Sequence, residues 1–144
     1  MKKIISGIAG FVIVFGLALS ASNAQDNGQQ NKQQEIAQAE NIKVIYFHFS
    51  RRCATCNAVE AETEKAVKEL YPKEMKNGSI TFESVNLDLE EGKETGKKYG
   101  IDSQSLVVIR GSEQSDLTTE GFMNARTKPE KLKEKIRKTI EAYR

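Results

Sequence analysis

The two cysteines of this 144-residue chain, Cys53 and Cys56, stand three positions apart in a single Cys-Ala-Thr-Cys motif. Cysteines this close enclose almost no loop, so a bond between them would restrict the unfolded chain very little. Their spacing instead suits reversible thiol–disulfide exchange, in which one thiolate attacks a disulfide and a second thiol resolves the mixed disulfide. We therefore predict chemistry at this pair rather than structural cross-linking.

The residues around the motif predict which thiol reacts first. An apolar run, 42–49, precedes the motif and a helical pattern follows it, so Cys53 is expected at a helix N-terminus. The free N–H groups there favour an anion, and Arg51 and Arg52 add positive charge. Cys56 falls one turn later, on the apolar stripe of the helix. We predict Cys53 as the exposed nucleophile, Arg52 as its assisting charge and Cys56 as the shielded resolving thiol.

An acid and a histidine are further candidates. Glu60 lies seven residues after Cys53, on the same helix edge as Cys56. If it is partly buried with a raised pKa, its carboxylate could accept the proton of Cys56. The alternative is a solvated glutamate among its acidic neighbours. His48, the only histidine, is favoured as a hydrogen-bonded core residue rather than a metal ligand.

A C-x-x-C motif can also be half of a metal site. Structural zinc takes four ligands, and this chain offers only two cysteines and one histidine, so we predict no resident metal. A two-thiolate site for a soft ion stays open as the alternative function, a module that binds Cu(I) or As(III) and hands it on. A third possibility is a redox-linked interaction subunit whose cysteines sense rather than catalyse.

The charge balance bears on the choice of partners. The chain carries 22 Lys and Arg against 20 Asp and Glu, and two of the lysines lie in residues 1–24, so the remainder is formally neutral. A nucleic-acid-binding protein is expected to show a clustered basic excess. We therefore predict no nucleic-acid partner, and we expect a monomer.

Three segments follow one another along the chain. Residues 1–24 resemble a secretory signal, with Lys2-Lys3, an apolar stretch and Ser22-Asn23-Ala24 before the cleavage point. An uncleaved N-terminal membrane anchor is the alternative, although the apolar run is short for a span. Residues 25–40 are rich in Gln and Asn and predict a flexible linker. Residues 41–144 form the domain, which we expect in the periplasm or outside the cell.

The apolar patterns predict a β-α-β-α-β-β-α order, with a parallel sheet covered by helices on both faces and finished by an antiparallel hairpin. The final helix is predicted to begin with a capping box, Thr127 to Glu130, and to bury an apolar stripe. The predicted strands are 42–49, 80–87, 105–110 and about 116–119; the predicted helices are 53–70 and 89–99, and the last helix buries Leu132, Ile136, Ile140 and Tyr143.

The stretch 42–143 resembles a minimal thioredoxin domain, which implies a thioredoxin-like α/β fold with a central mixed sheet. The resemblance rests on the apolar strand leading into Cys53-Ala-Thr-Cys56, on Val85-Asn86-Leu87-Asp88, on Lys98-Tyr99-Gly100-Ile101 and on Gly121. It implies a thiol–disulfide oxidoreductase or electron carrier. The expected substrate is a disulfide-bearing protein or a small thiol. Because a reductant outside the cytoplasm needs electrons delivered across the membrane, a membrane thiol relay is the expected partner.

Three positions depart from the thioredoxin pattern. Arg52 stands where that family usually has tryptophan, and Phe47 stands where it has a buried aspartate. The family's proline opposite the cysteines aligns with Ser105. The resemblance therefore implies that Ser105 lies in a substrate-facing loop next to the disulfide.

Two runs, Arg51-Arg52-Cys53-Ala54-Thr55-Cys56 and Phe122-Met123-Asn124-Ala125-Arg126-Thr127-Lys128-Pro129-Glu130, are similar to small exported thioredoxin-like proteins of the ArsF type. The label of that family mentions a nitrophenyl-compound nitroreductase subunit and arsenic-resistance operons. The chain has no flavin or nicotinamide motif, so we predict no cofactor and no nitroreductase activity of its own.

Overall fold

The structure, a computed structural model, describes residues 41–144. The predicted signal segment and linker, 1–24 and 25–40, lie outside the described residues. The domain is a four-stranded sheet with helices on both faces. Its elements are β1 (Ile42–His48), α1 (Ala54–Leu70), α2 (Pro72–Asn77), β2 (Ile80–Asn86), α3 (Glu90–Tyr99), β3 (Ser105–Arg110), β4 (Glu113–Asp116), α4 (Thr118–Asn124) and α5 (Pro129–Ala142).

The strand order is β2-β1-β3-β4, so the apolar strand β1 lies inside the sheet. β1 pairs with β2 in parallel, whereas β3 is antiparallel to β1 and to β4. The predicted mixed α/β class is confirmed: β1 and β2 form the parallel part of the sheet, and β3 and β4 form the antiparallel hairpin that finishes it. Asn86 pairs with His48, and Ser105 pairs with Phe47. The end of β2 and the start of β3 therefore both lie beside the C-terminal end of β1. Because β3 begins at that end, it must run antiparallel to β1.

The sheet separates two apolar layers. Side chains alternate along β1, so Val44 and Tyr46 lie in the larger layer and Ile45 and Phe47 in the smaller one. The larger layer includes residues of α1 and α5. The predicted stripes of both helices are confirmed except at Tyr143, which is only partly buried and lies at the C-cap just beyond α5. The buried helix residues of this layer are Val59, Ala66, Val67, Leu132, Ile136 and Ile140.

Helix α3 covers the opposite face at very short range. An added Cβ at Gly92 would lie 1.9 Å from the carbonyl oxygen of Asn86, and one at Gly96 would lie 2.4 Å from that of Ile101. Glycine is a poor helix former, but at these two positions a side chain would collide with neighbouring backbone. The two glycines let the helix backbone touch the end of β2 and the loop before β3.

The last third of the chain differs in detail from the expectation. The turn Gly111-Ser112, with φ of 57° at Gly111, reverses the chain at once, so β4 begins at Glu113 rather than near 116. The expected strand at 116–119 is replaced by α4, whose first N–H, on Thr118, donates to Asp116.

The capping box predicted for the last helix is also wrong. Pro129 occupies the first helical turn and Lys128 is the N-cap, without a side-chain capping bond. The Thr127 hydroxyl donates instead to the carbonyl of Met123, 3.4 Å away. Of the helices in 41–144, none combines the length and apolarity that a membrane crossing requires.

Candidate functional site

The cysteine motif lies where the central strand passes into a long helix. β1 ends at His48, and Cys53 is the N-cap of α1, with extended backbone angles φ −90° and ψ 165°. The Cys53 Sγ accepts a hydrogen bond from the backbone N–H of Cys56 at 3.1 Å. This is the position at which a short polar side chain normally caps a helix. The predicted placement of Cys53 at the helix N-terminus is confirmed.

The two cysteines are joined in a disulfide, with their Cα atoms 5.0 Å apart. Cys53 is exposed, whereas Cys56 is only 5% exposed and belongs to the buried stripe of α1. One sulfur can therefore be approached from solvent and the other is shielded by the domain. That asymmetry is what exchange through a mixed disulfide needs.

The electrostatic surroundings favour a thiolate at Cys53. The first turn of α1 contains no acidic residue, and the helix is 17 residues long, so its positive end is not offset locally. Arg51 is exposed beside it. These features act on the reduced protein, in which Cys53 Sγ would keep the capping position and accept the same N–H as an anion.

The guanidinium of Arg52 pairs with the carboxylate of Glu60, and the side chains are 23% and 25% exposed. The Ser84 hydroxyl on β2 donates to the other oxygen of Glu60. Partial burial raises the pKa of Glu60, but the hydrogen bonds from Ser84 and Arg52 outweigh it and hold the pKa below its ordinary value. The raised pKa that Glu60 would need as a proton acceptor is therefore wrong. Because Arg52 is paired with Glu60, its positive charge stabilises a thiolate at Cys53 less than its position in the sequence suggests.

Two residues that the motif does not include complete the buried side of the site. The Gln104 side-chain amide donates through Nε2 to the hydroxyl of Tyr46, and its Oε1 lies 3.8 Å from Cys56 Sγ. The Arg52 guanidinium lies over the Tyr46 ring, 5.8 Å from its centroid. Burial raises the pKa of Tyr46, an effect only partly offset by Gln104 and Arg52, so this phenol stays neutral.

Sequence reasoning missed this part of the site because Tyr46 has the pattern of a core residue. It is fully buried, as expected, but its hydroxyl reaches the cysteines through Gln104. Strand alternation was a usable signal, because it places Tyr46 on the sheet face that α1 covers. Gln104 carried no signal of its own beyond its place just before β3.

Ser105 does not occupy the substrate-facing loop that the resemblance implied. It is the first residue of β3, 7% exposed, and its hydroxyl donates to the carbonyl of Ser103. Its register partner is Phe47, which lies in the layer opposite to α1. Because neighbouring strand residues face opposite sides of a sheet, Gln104 is the residue of this segment brought to the disulfide.

His48 is a buried, hydrogen-bonded strand residue, as predicted. Its Nδ1 lies 3.0 Å from the carbonyl oxygen of Phe49, and its ring lies 5.8 Å from that of Tyr46. Within residues 41–144, no group of three or more His, Cys, Asp or Glu side chains is placed to hold a metal ion.

The solved structures to which this chain is similar include thioredoxins from several organisms. The thioredoxin of Fasciola hepatica is 20% identical, with a TM-score of 0.48 over 81% of this chain and 93% of that one. The germline-specific thioredoxin Deadhead of Drosophila melanogaster is 17% identical, with a TM-score of 0.46 over 77% and 91%. The thioredoxin of Trypanosoma brucei brucei is 17% identical, with a TM-score of 0.44 over 77% and 85%.

No protein-family model and no curated protein matches the chain. The narrower resemblance to ArsF-type proteins stays a prediction. At these identities and TM-scores the solved structures assign no role to any residue of this chain.

Proposed function

We propose that this protein is an exported thiol–disulfide oxidoreductase or electron carrier of the thioredoxin type. The observation that carries the proposal is the disulfide between an exposed N-cap sulfur, Cys53, and a buried one, Cys56. A structural cross-link gains little stability from closing a loop this short, whereas exchange requires this difference in access.

In the reducing direction, the Cys53 thiolate attacks one sulfur of a substrate disulfide, and the other sulfur leaves as a thiolate that takes up a proton. Cys53 is then joined to the substrate in a mixed disulfide. Cys56 loses its proton and attacks Cys53 Sγ, which releases the second substrate thiol and forms the Cys53–Cys56 disulfide. Two electrons pass from the cysteine pair to the substrate; the oxidising direction is the reverse.

Arg52 and Glu60 act in this proposal as positioning residues. The ion pair holds the residue before Cys53 against α1, so the approach to the exposed sulfur keeps one shape. Glu60, with its lowered pKa, is a weak proton acceptor, and the proton of Cys56 passes to solvent or to the leaving substrate sulfur.

The cellular setting of the proposal rests on the predicted signal segment. Outside the cytoplasm, a reductant must be supplied with electrons through the membrane, so a membrane thiol relay is the proposed partner of the reducing form. An oxidant would need a membrane acceptor instead. The substrate is a disulfide-bearing protein or a small thiol.

The deciding experiment is equilibration of the full chain with glutathione buffers of graded ratio, followed by counting of free thiols by mass spectrometry. We expect one reversible two-electron couple. A midpoint potential of about −270 mV would identify a reductant, and one of about −120 mV would identify an oxidant. The proposal would be ruled out if Cys53 and Cys56 formed no reversible disulfide in any of the buffers.

Metal-binding measurements on the reduced protein distinguish the thiophilic-ion alternative from the oxidoreductase. A dithiolate site for Cu(I) would bind one ion per chain, and binding would be lost when either Cys53 or Cys56 is changed to Ser. Exchange with a generic disulfide substrate and turnover without metal would favour the oxidoreductase. Stoichiometric Cu(I) or As(III) binding without exchange would favour the carrier.

A further inference from the structure

The buried sulfur of the pair has a hydrogen-bonding neighbour of its own. Gln104 Oε1 lies 3.8 Å from Cys56 Sγ, which is within reach of a thiol once the disulfide is reduced. Gln104 comes from the loop before β3, and Cys56 from the first turn of α1, 48 residues earlier. The contact is therefore created by the fold and not by the motif.

The orientation of the amide decides what this neighbour does. Gln104 Nε2 donates to the hydroxyl of Tyr46, so the carbonyl oxygen is the end that faces Cys56. A carbonyl oxygen accepts a hydrogen bond from a thiol but repels a thiolate. Tyr46 is fully buried and packed in the sheet, so it fixes the amide from a rigid element.

We propose that Gln104, held by Tyr46, keeps Cys56 protonated until the mixed disulfide forms, and so assigns the nucleophile's role to Cys53. The two sulfurs then have opposite partners. Cys53 faces a backbone N–H, which stabilises its thiolate, and Cys56 faces a carbonyl oxygen, which stabilises its thiol. Gln104 touches the reacting atom, whereas Tyr46 is a positioning residue that acts through it.

Other charged and titratable groups lie around Tyr46, the residue that holds the Gln104 amide. Tyr46 and His48 come from β1, Arg52 from the loop before Cys53, and Glu60 from α1. Arg52 and Glu60 are paired with each other. Their combined effect on Cys56 is therefore smaller than that of either charge alone, and the contact with the Gln104 amide is the local interaction that distinguishes thiol from thiolate.

The role rests on the proposed function, but its test does not require exchange activity. In full-length protein carrying Cys53→Ser, Cys56 is the only thiol, and its thiolate can be titrated by ultraviolet absorbance. Serine is also a good N-cap, so α1 keeps its start. Adding Tyr46→Phe frees the amide to rotate and present Nε2–H to the sulfur. We expect the titration midpoint of Cys56 to fall by about one pH unit, a tenfold change in the thiolate equilibrium.

Two comparisons make the result specific. In a Gln104→Leu background, Tyr46→Phe should produce no shift, because Tyr46 acts through the amide. Tyr143→Phe removes a phenol hydroxyl bonded to Ser115, away from the cysteines, and should also leave the midpoint unchanged. An unchanged or raised midpoint in Tyr46→Phe, or an equal fall in the Gln104→Leu background, would overturn the inference.

The outcome is independent of the test of function. A lowered Cys56 midpoint in a protein that shows no exchange would refute the oxidoreductase and leave the contact established. Rapid exchange in a protein whose Cys56 titration midpoint does not change with Tyr46→Phe would refute the proposed role of the contact and support the oxidoreductase.

Discussion

The guanidinium of Arg52 pairs with the carboxylate of Glu60, which joins the residue before the reactive cysteine to the second turn of the helix that follows it. Ser84 holds Glu60 from β2, so the loop, the helix and the neighbouring strand meet at one carboxylate. Both charged side chains are about three-quarters buried. Breaking a partly buried pair leaves an unsatisfied charge, so this contact has measurable consequences.

Replacing Arg52 by Met should lower the free energy of unfolding by about 1–2 kcal/mol, because Glu60 keeps its burial and loses its cation. Urea unfolding of the oxidised protein measures the loss. The matched control is Arg51→Met, which changes an exposed arginine next to it and should cost less than about 0.5 kcal/mol. Equal effects of the two substitutions would show that the ion pair contributes nothing.

The lowered pKa of Glu60 predicts a pH-dependent contribution to stability. The ordinary value is 4.5 and the folded value is lower, so the contribution is complete above about pH 5 and is lost as the pH falls through the folded pKa. The stability difference between wild type and Glu60→Gln should be largest near neutral pH and should shrink below 4.5. Urea unfolding at graded pH measures it.

The control for that titration is Glu62→Gln on the same helix, because Glu62 forms no ion pair with any residue in 41–144. Its effect on stability should be within about 0.5 kcal/mol of wild type at neutral pH. A difference for Glu60→Gln that stays constant from neutral to acidic pH would contradict the assigned ion pair.

Cys56→Ser should trap the first covalent intermediate. Exposed Cys53 can still attack a substrate disulfide, but no second sulfur is present to release it, so a stable mixed disulfide accumulates. Mass spectrometry after incubation with oxidised glutathione would show one adduct per chain. The matched variant Cys53→Ser should react far more slowly, because its remaining thiol is buried. Similar adduct yields from both variants would contradict the assigned order of attack.

Gly92→Ala should destabilise the domain by about 3 kcal/mol, even though alanine is the better helix former. The added Cβ would lie 1.9 Å from the carbonyl oxygen of Asn86, so α3 must move off the sheet. Thermal or urea unfolding checks this. Glu94→Ala, at an exposed position of α3, is the control and should change stability little. A neutral Gly92→Ala would mean that α3 does not pack this closely.

The separation of the two cysteines into an exposed and a buried sulfur could be predicted from local pattern alone. An apolar run followed by a helical stripe is enough to place Cys53 at a helix start and Cys56 one turn further in, since helix periodicity is a local property. The same reasoning predicted the stripe of α5 and the strand β3, whose bounds are Ser105–Arg110.

The direction of β3 and the partners of the cysteines depended on contacts between distant segments. β3 runs antiparallel to β1 because the segment containing α3 brings the chain back to the end of the sheet at which β2 finished. No pattern within either strand encodes this direction. Glu60 has a lowered pKa because Arg52 and Ser84 meet it in space, whereas burial alone would have raised it. Gln104 reaches Cys56 from 48 residues away. Local sequence thus determined which residues could react, and the tertiary structure decided which side chains surround them, because hydrogen bonds and ion pairs act over a few ångströms regardless of separation along the chain.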